Sequence, residues 1–140
     1  MSDIVIKLSS KILFEIIRNK NSHFSEKYRK IIMNNLDMDE YSISDSMSLY
    51  QTCVYFGNIS ILEMLNEKEY FLDKFYEELI WLIEQAMINN SYDVLEFLLN
   101  FNKNINIKIK EGFREYSILQ FAKTRNNSDI IELLIENGYQ

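Results

Sequence analysis

The chain has no proline, three glycines, one cysteine and one histidine in 140 residues. Each scarcity excludes something. Sandwiches and barrels of many strands need turn residues at short intervals, and Gly and Pro supply most of them. So few of either argue against an all-β fold. A single cysteine excludes an internal disulfide and fits a reducing compartment, so a cytoplasmic location is expected. His23 and Cys53 stand 30 residues apart, and neither zinc spacing nor a Gly-rich phosphate loop nor a serine nucleophile elbow occurs. Asp37, Asp39, Glu40 and Asp45 have the carboxylates of a calcium loop but lack the glycine of its sharp turn. No catalytic residue, metal site or cofactor is therefore expected. Asp3, Lys7, Lys11 and Glu15 interrupt the first apolar stretch, so neither a signal-peptide core nor a membrane span is expected.

What is present is apolar and acidic. Hydrophobic residues make up 47% of the chain and aromatics 14%, which decides against disorder over most of its length. The net charge of −6 is unevenly spread. Residues 1–36 carry seven basic and three acidic groups, residues 37–100 two basic and thirteen acidic, and residues 101–140 six basic and five acidic. An acidic middle repels nucleic acid and anionic membranes and attracts basic proteins. It equally suits a solvated face that aids solubility.

Helical periodicity runs throughout. Leu8, Ile12/Leu13 and Ile16 share a face, as do Phe24, Tyr28, Ile31/Ile32 and Leu36, and Phe75, Leu79, Leu82/Ile83 and Ala86/Met87. The chain is also similar to itself. Ser117-Ile118-Leu119-Gln120, Ala122, Asn126-Asn127 and Ile130-Ile131-Glu132-Leu133-Leu134 correspond to Ala86, Asn90-Ser91 and Val94-Leu95-Glu96-Phe97-Leu98, 36 residues earlier. A further step of 33 reaches Cys53, Gly57-Asn58 and Ile61-Leu62-Glu63-Met64-Leu65, and another reaches Tyr28 and Ile31-Ile32. Cys53, Ala86 and Ala122 are small residues suited to a close approach. Gly57, Asn90 and Asn126 are the residue types that tolerate a left-handed backbone at a helix end.

Residues 117–138 resemble the ankyrin repeat, whose pattern is T-P-L-H-x-A-A, two residues, G-H, two more, I-V-x-L-L-L and a closing G. Ser117 stands for the Thr, Leu119 for the Leu, Gln120 for the His and Ala122 for the first Ala; Gly138 closes the unit. Residues 48–66 resemble it nearly as well, whereas 81–102 keep only the second helix. The resemblance covers roughly 90 residues, lacks the Pro and His of the pattern, and implies a divergent member. It implies an all-α solenoid of about 3.5 helix-turn-helix repeats with small β-hairpin fingers. Within a single domain, 1–36 would be a degenerate N-terminal repeat or cap and 46–77, 78–113 and 114–140 the repeats. Ile105, Ile107 and Ile109 alternate with Asn106, Lys108 and Lys110 at a strand period, and Glu111-Gly112 supplies a turn.

Ankyrin-like proteins are generally non-catalytic protein-binding modules, so the same role is expected here. In such a stack the fingers and first helices line a concave face. The expected partner-binding residues are Asp37, Asp39, Glu40, Tyr41 and Asp45 on a first finger (37–47), and Glu69, Tyr70 and Phe71 on a second (67–74). Glu77, Glu78, Trp81 and Glu84 follow on the next helix, and Phe113 and Tyr116 on a third finger. Aromatics flanked by acids suit a basic protein partner; equally, Phe71 and Trp81 could fill space between repeats. In size and charge the chain resembles toxin-neutralising immunity proteins and viral or phage counter-defence inhibitors. A structural or adaptor role is the alternative. Ile131, Leu134 or Ile135 would then form an apolar edge open to a second copy, unless Glu132 and Glu136 already make that face polar.

Overall fold

The computed structural model describes residues 17–18, 43–69, 71–102 and 104–140. Among these the chain forms seven α-helices and one β-hairpin. In order they are α1 (Ile43–Phe56), α2 (Ile59–Glu69), α3 (Phe71–Lys74), α4 (Tyr76–Ile88), α5 (Tyr92–Leu99), β1 (Lys108–Glu111), β2 (Arg114–Ser117), α6 (Ile118–Thr124) and α7 (Ser128–Glu136). The structure is mostly helical with a small antiparallel hairpin. No described helix is long and apolar enough to cross a membrane.

One corner recurs between paired helices. After α1, Gly57 has φ +68°. Its N–H donates to the Val54 carbonyl at 3.3 Å, and the Asn58 N–H donates to that of Cys53 at 2.9 Å. After α4, Asn90 has φ +55°, and Asn90 and Ser91 donate to the carbonyls of Met87 (3.2 Å) and Ala86 (3.0 Å). These bonds satisfy carbonyls that a helix end would otherwise leave bare. After α6, Asn126 adopts φ +56° and donates to the Lys123 carbonyl at 3.3 Å. Cys53, Ala86 and Ala122, the small residues of the repeating pattern, lie buried four positions before each left-handed residue. The next residue is already the cap of the following helix. Asn58 Oδ1 accepts from the Ile61 N–H at 3.1 Å, and Asn127 Oδ1 accepts from Ile130 at 3.2 Å. Ser91 occupies the same place but makes no side-chain cap bond.

The chain divides into two compact units, Met1–Lys74 and Phe75–Gln140. In the first, α1 buries Leu49, Tyr50, Cys53 and Val54, and α2 buries Ile61, Leu62, Met64 and Leu65. Each set follows the i, i+3, i+4 spacing of a helix face. Asn58, itself buried, donates through Nδ2 to the carbonyl of Ile17 at 3.1 Å, and so ties the corner to an element 41 residues earlier. Buried Asn66 accepts from the Leu72 N–H at 2.9 Å. This gives an orphan donor at the start of α3 its partner while Leu72 enters the core.

Here the structure corrects the expected fingers. Residues 43–47, including Asp45, belong to α1, while 37–42 lie outside the described residues. The second finger is helical: Glu69 ends α2 and Phe71 begins α3. Helix is preferred there because Leu72 lies seven residues, about two helical turns, beyond the buried Leu65 and is itself buried in the core. Among the described residues only the third finger is a hairpin.

In the second unit, α4 packs on α5 and α6 on α7. Leu79, Leu82, Ile83, Ala86 and Met87 of α4 are buried. They face a core completed by Val94, Leu95, Leu98, Phe121, Ile130, Leu133 and Leu134. Asn127 Nδ2 donates to Asn90 Oδ1 at 3.2 Å, bonding one corner to the next. The hairpin pairs Ile109 with Tyr116, Lys110 with Glu115 and Glu111 with Arg114. Its loop is Gly112-Phe113, with positive φ at Gly112 only (+64°), the two-residue turn whose twist matches antiparallel strands. The strand is shorter than the isoleucine alternation suggests: Ile107 and Ile109 are buried, but Ile105 precedes β1 and is half exposed. Ser117 ends β2 and caps α6 in a reciprocal box, with Gln120 N–H to Ser117 Oγ at 3.1 Å and Ser117 N–H to Gln120 Oε1 at 2.9 Å.

Candidate partner-binding surface

The face of α4 opposite its buried stripe carries Glu77, Trp81, Glu84 and Ile88, at the i, i+4, i+7, i+11 spacing of one helix side. Glu77 is exposed, and 39% of Trp81 lies open to solvent. The exposed part is aromatic surface on a helix side that also carries Glu77 and Glu84. Glu78 is half-buried beside the core stripe and presents less of itself than expected.

Glu84 is not a free charge. Burial raises its carboxyl above the usual range, the nearby Glu111 raises it further, and Arg125 acts in the opposite direction. Arg125 lies 3.9 Å from the Glu111 carboxylate and 5.0 Å from the centroid of the Phe121 ring. Glu84 thus belongs to a charge cluster that joins α4, the hairpin and the end of α6.

Phe113, at the hairpin tip, is fully exposed. The residues that flank it carry both signs: Glu111 and Glu115 against Lys108, Lys110 and Arg114. Tyr116 is half-buried: it pairs with Ile109 across the hairpin and meets Phe121 at a ring separation of 6.5 Å, so it helps to seat the hairpin. Of the other expected residues, Asp37, Asp39, Glu40, Tyr41 and Tyr70, and the side chains of Asp45, Glu69 and Phe71, lie outside the described residues. His23 does too.

A second acidic surface lies away from the residues expected from the sequence. Tyr92, Asp129, Glu132, Leu133 and Glu136 line an open cleft of about 210 Å³ on the α5 and α7 side of the second unit. The Tyr92 phenol is pushed above its ordinary range by desolvation and then by Glu96, Glu136, Asp129 and Glu132. The signal was present in the sequence, because Asp129, Glu132 and Glu136 recur at i, i+3 and i+7 on one side of α7.

Cys53 is wholly buried and its thiol is pushed far above its ordinary range by burial, so a thiolate nucleophile does not form there near neutral pH. Among the described residues no group of His, Cys, Asp and Glu is arranged to hold a metal ion. Of the apolar edge expected on α7, Leu134 is buried, Ile131 is half-buried and Ile135 is 56% exposed. Leu134 turns inward because it sits one turn beyond Ile130 on the core stripe. Comparison with protein-family models, with curated proteins and with solved structures finds no match for this chain.

Proposed function

We propose that this chain is a divergent ankyrin-like array of about 3.5 helix-pair repeats that acts as a non-catalytic protein-binding module. In this reading it is an acidic cytoplasmic inhibitor that covers a basic surface on a partner protein, as an immunity or counter-defence protein would. It uses no cofactor and engages neither nucleic acid nor membrane. The observation that carries the reading is the combination of one repeated corner with exposed aromatics beside acids. Three helix pairs turn on a left-handed residue followed by a cap, at steps of 33 and 36 residues. Trp81 and Phe113 are both exposed, Phe113 the most of any large apolar side chain among the described residues, and each has carboxylates nearby in the chain. Large aromatics of this kind supply the anchors of protein interfaces, and surrounding carboxylates speed encounter with a basic surface.

The test is binding to a partner recovered from the native host, followed with purified components. Trp81→Ala and Phe113→Ala are each expected to weaken binding about tenfold or more. Glu77→Lys should slow association, and raising salt to about 0.5 M should slow it further by screening exposed charges. Full binding by both aromatic variants, with association indifferent to salt, would sink the reading.

Exposed Ile135 favours a second reading, a structural or adaptor role through self-association along α7. Light scattering on the purified chain separates the two. A concentration-dependent dimer abolished by Ile135→Glu supports assembly, and a monomer at all concentrations removes it.

A further inference from the structure

The segment between α5 and β1 is tied down by a single carboxamide. Asn102 Nδ2 donates to the Asn104 carbonyl at 2.9 Å and to the Tyr139 hydroxyl at 2.7 Å. Its Oδ1 accepts from the Asn104 N–H and from the Tyr76 hydroxyl, both at 3.3 Å. Both amide hydrogens and both acceptor positions are therefore used. Two of the four partners are local and make a turn. The other two come from far along the chain, Tyr76 opening α4 and Tyr139 following α7. Tyr139 is itself held: Gly138 has φ +85°, the Tyr139 N–H donates to the Leu134 carbonyl at 3.0 Å, and the ring is only 6% exposed. A local turn needs neither phenol. A half-buried carboxamide saturated by two distant phenols has one orientation, and that orientation fixes the backbone on which it sits.

We infer that Asn102 is a positioning residue: held by Tyr139 and Tyr76, it locks the loop that launches the β1–β2 hairpin and so sets where Phe113 is presented. Tyr139 acts as a strap that joins the end of α7 to this loop. The buried Ile107 and Ile109 hold the base of the hairpin, and the lock fixes the chain that feeds it. The consequence for Phe113 rests on the binding function proposed above. The lock itself does not, and it is tested without any partner.

The experiment is amide hydrogen exchange on the full chain and on Tyr139→Phe and Asn102→Ala. Tyr139→Phe keeps the buried ring and removes only the hydroxyl, so it remains informative if Asn102→Ala fails to fold. The expected result for Tyr139→Phe is exchange about threefold to tenfold faster over residues 104–111, the loss of one net hydrogen bond, with α4 and α5 unchanged. Equal acceleration across the whole second unit would reduce the contact to general stability and overturn the inference. So would an effect in Asn102→Ala alone, because the local turn would then suffice. No change in either variant also overturns it.

Discussion

The helix pairs α1–α2 and α4–α5 enter the same corner and leave by different routes. Both turn on a left-handed residue, Gly57 or Asn90, with the next residue bonded back to the carbonyl of a buried small residue, Cys53 or Ala86. After the second helix they part. The first pair continues into the one-turn helix α3, whose Leu72 N–H is satisfied by Asn66 and whose Leu72 side chain is buried. The second continues into a loop and the β1–β2 hairpin, with Ile107 and Ile109 buried. A corner is decided within a few residues by which side chains tolerate positive φ. An exit is decided by what the rest of the unit offers the next apolar residue. The two pairs therefore teach that the repeated part of this chain is local chemistry and the varied part is packing.

The sharpest way to break that comparison is to remove the apolar residue that anchors each exit. Leu72→Ala and Ile109→Ala should each lower unfolding free energy by about 2–4 kcal/mol in urea denaturation, the usual range for emptying a buried aliphatic site. If one of them is silent, its exit is set by local preference and the contrast fails. Corner residues should matter less. Asn127→Ala loses both the cap of α7 and the bond to Asn90, for about 1–2 kcal/mol, whereas Ser91→Ala at the equivalent place removes no cap bond and should fall within about 0.5 kcal/mol. Equal losses in thermal melting would mean that the corners are not distinguished by their caps.

Next come the left-handed positions. Asn90→Ala and Asn126→Ala should each cost about 1 kcal/mol through the steric penalty of positive φ; Asn126→Gly should be tolerated, and Asn90→Gly should lose only the bond from Asn127. A Gly variant as damaging as the Ala variant would show that the asparagine side chain, not its backbone, is what the corner uses.

The smallest effect concerns charge. Glu84 has a raised carboxyl in the folded state, first through burial and then through Glu111. The folded chain therefore holds its proton to higher pH than the unfolded chain. Its contribution to stability is present below the ordinary glutamate range and is lost as pH rises through the raised folded value. Glu84→Gln should flatten that part of the stability profile and leave stability near neutral pH equal or slightly higher, by less than about 1 kcal/mol given the solvent around the site. A clear drop in melting temperature on Glu84→Gln at neutral pH would mean that the attraction to Arg125 outweighs both opposing influences.

Much of the local architecture was legible in the sequence. Left-handed backbones at Gly57, Asn90 and Asn126, buried small residues at Cys53, Ala86 and Ala122, the α4 core stripe and the hairpin turn at Gly112 were all readable. The helical form of the second finger was not, because whether 67–74 coils or extends depends on Asn66 and on the space Leu72 fills. The surface was read less well than the core. Trp81 and Phe113 are exposed, Tyr116 is half-buried against Phe121, and Glu84 lies in a shared charge cluster. Periodicity tells which side of a helix is apolar, but not which polar residue from a distant element will stand opposite it.

By itself the sequence determined where the paired helices reverse, because caps and positive φ depend on side chains a few residues away. Tertiary structure alone decided that α3 is helical, that Tyr139 returns to Asn102, and that acids from α5 and α7 gather around Tyr92. Those outcomes depend on burial and on charges far apart in the chain, and no local preference encodes such distances.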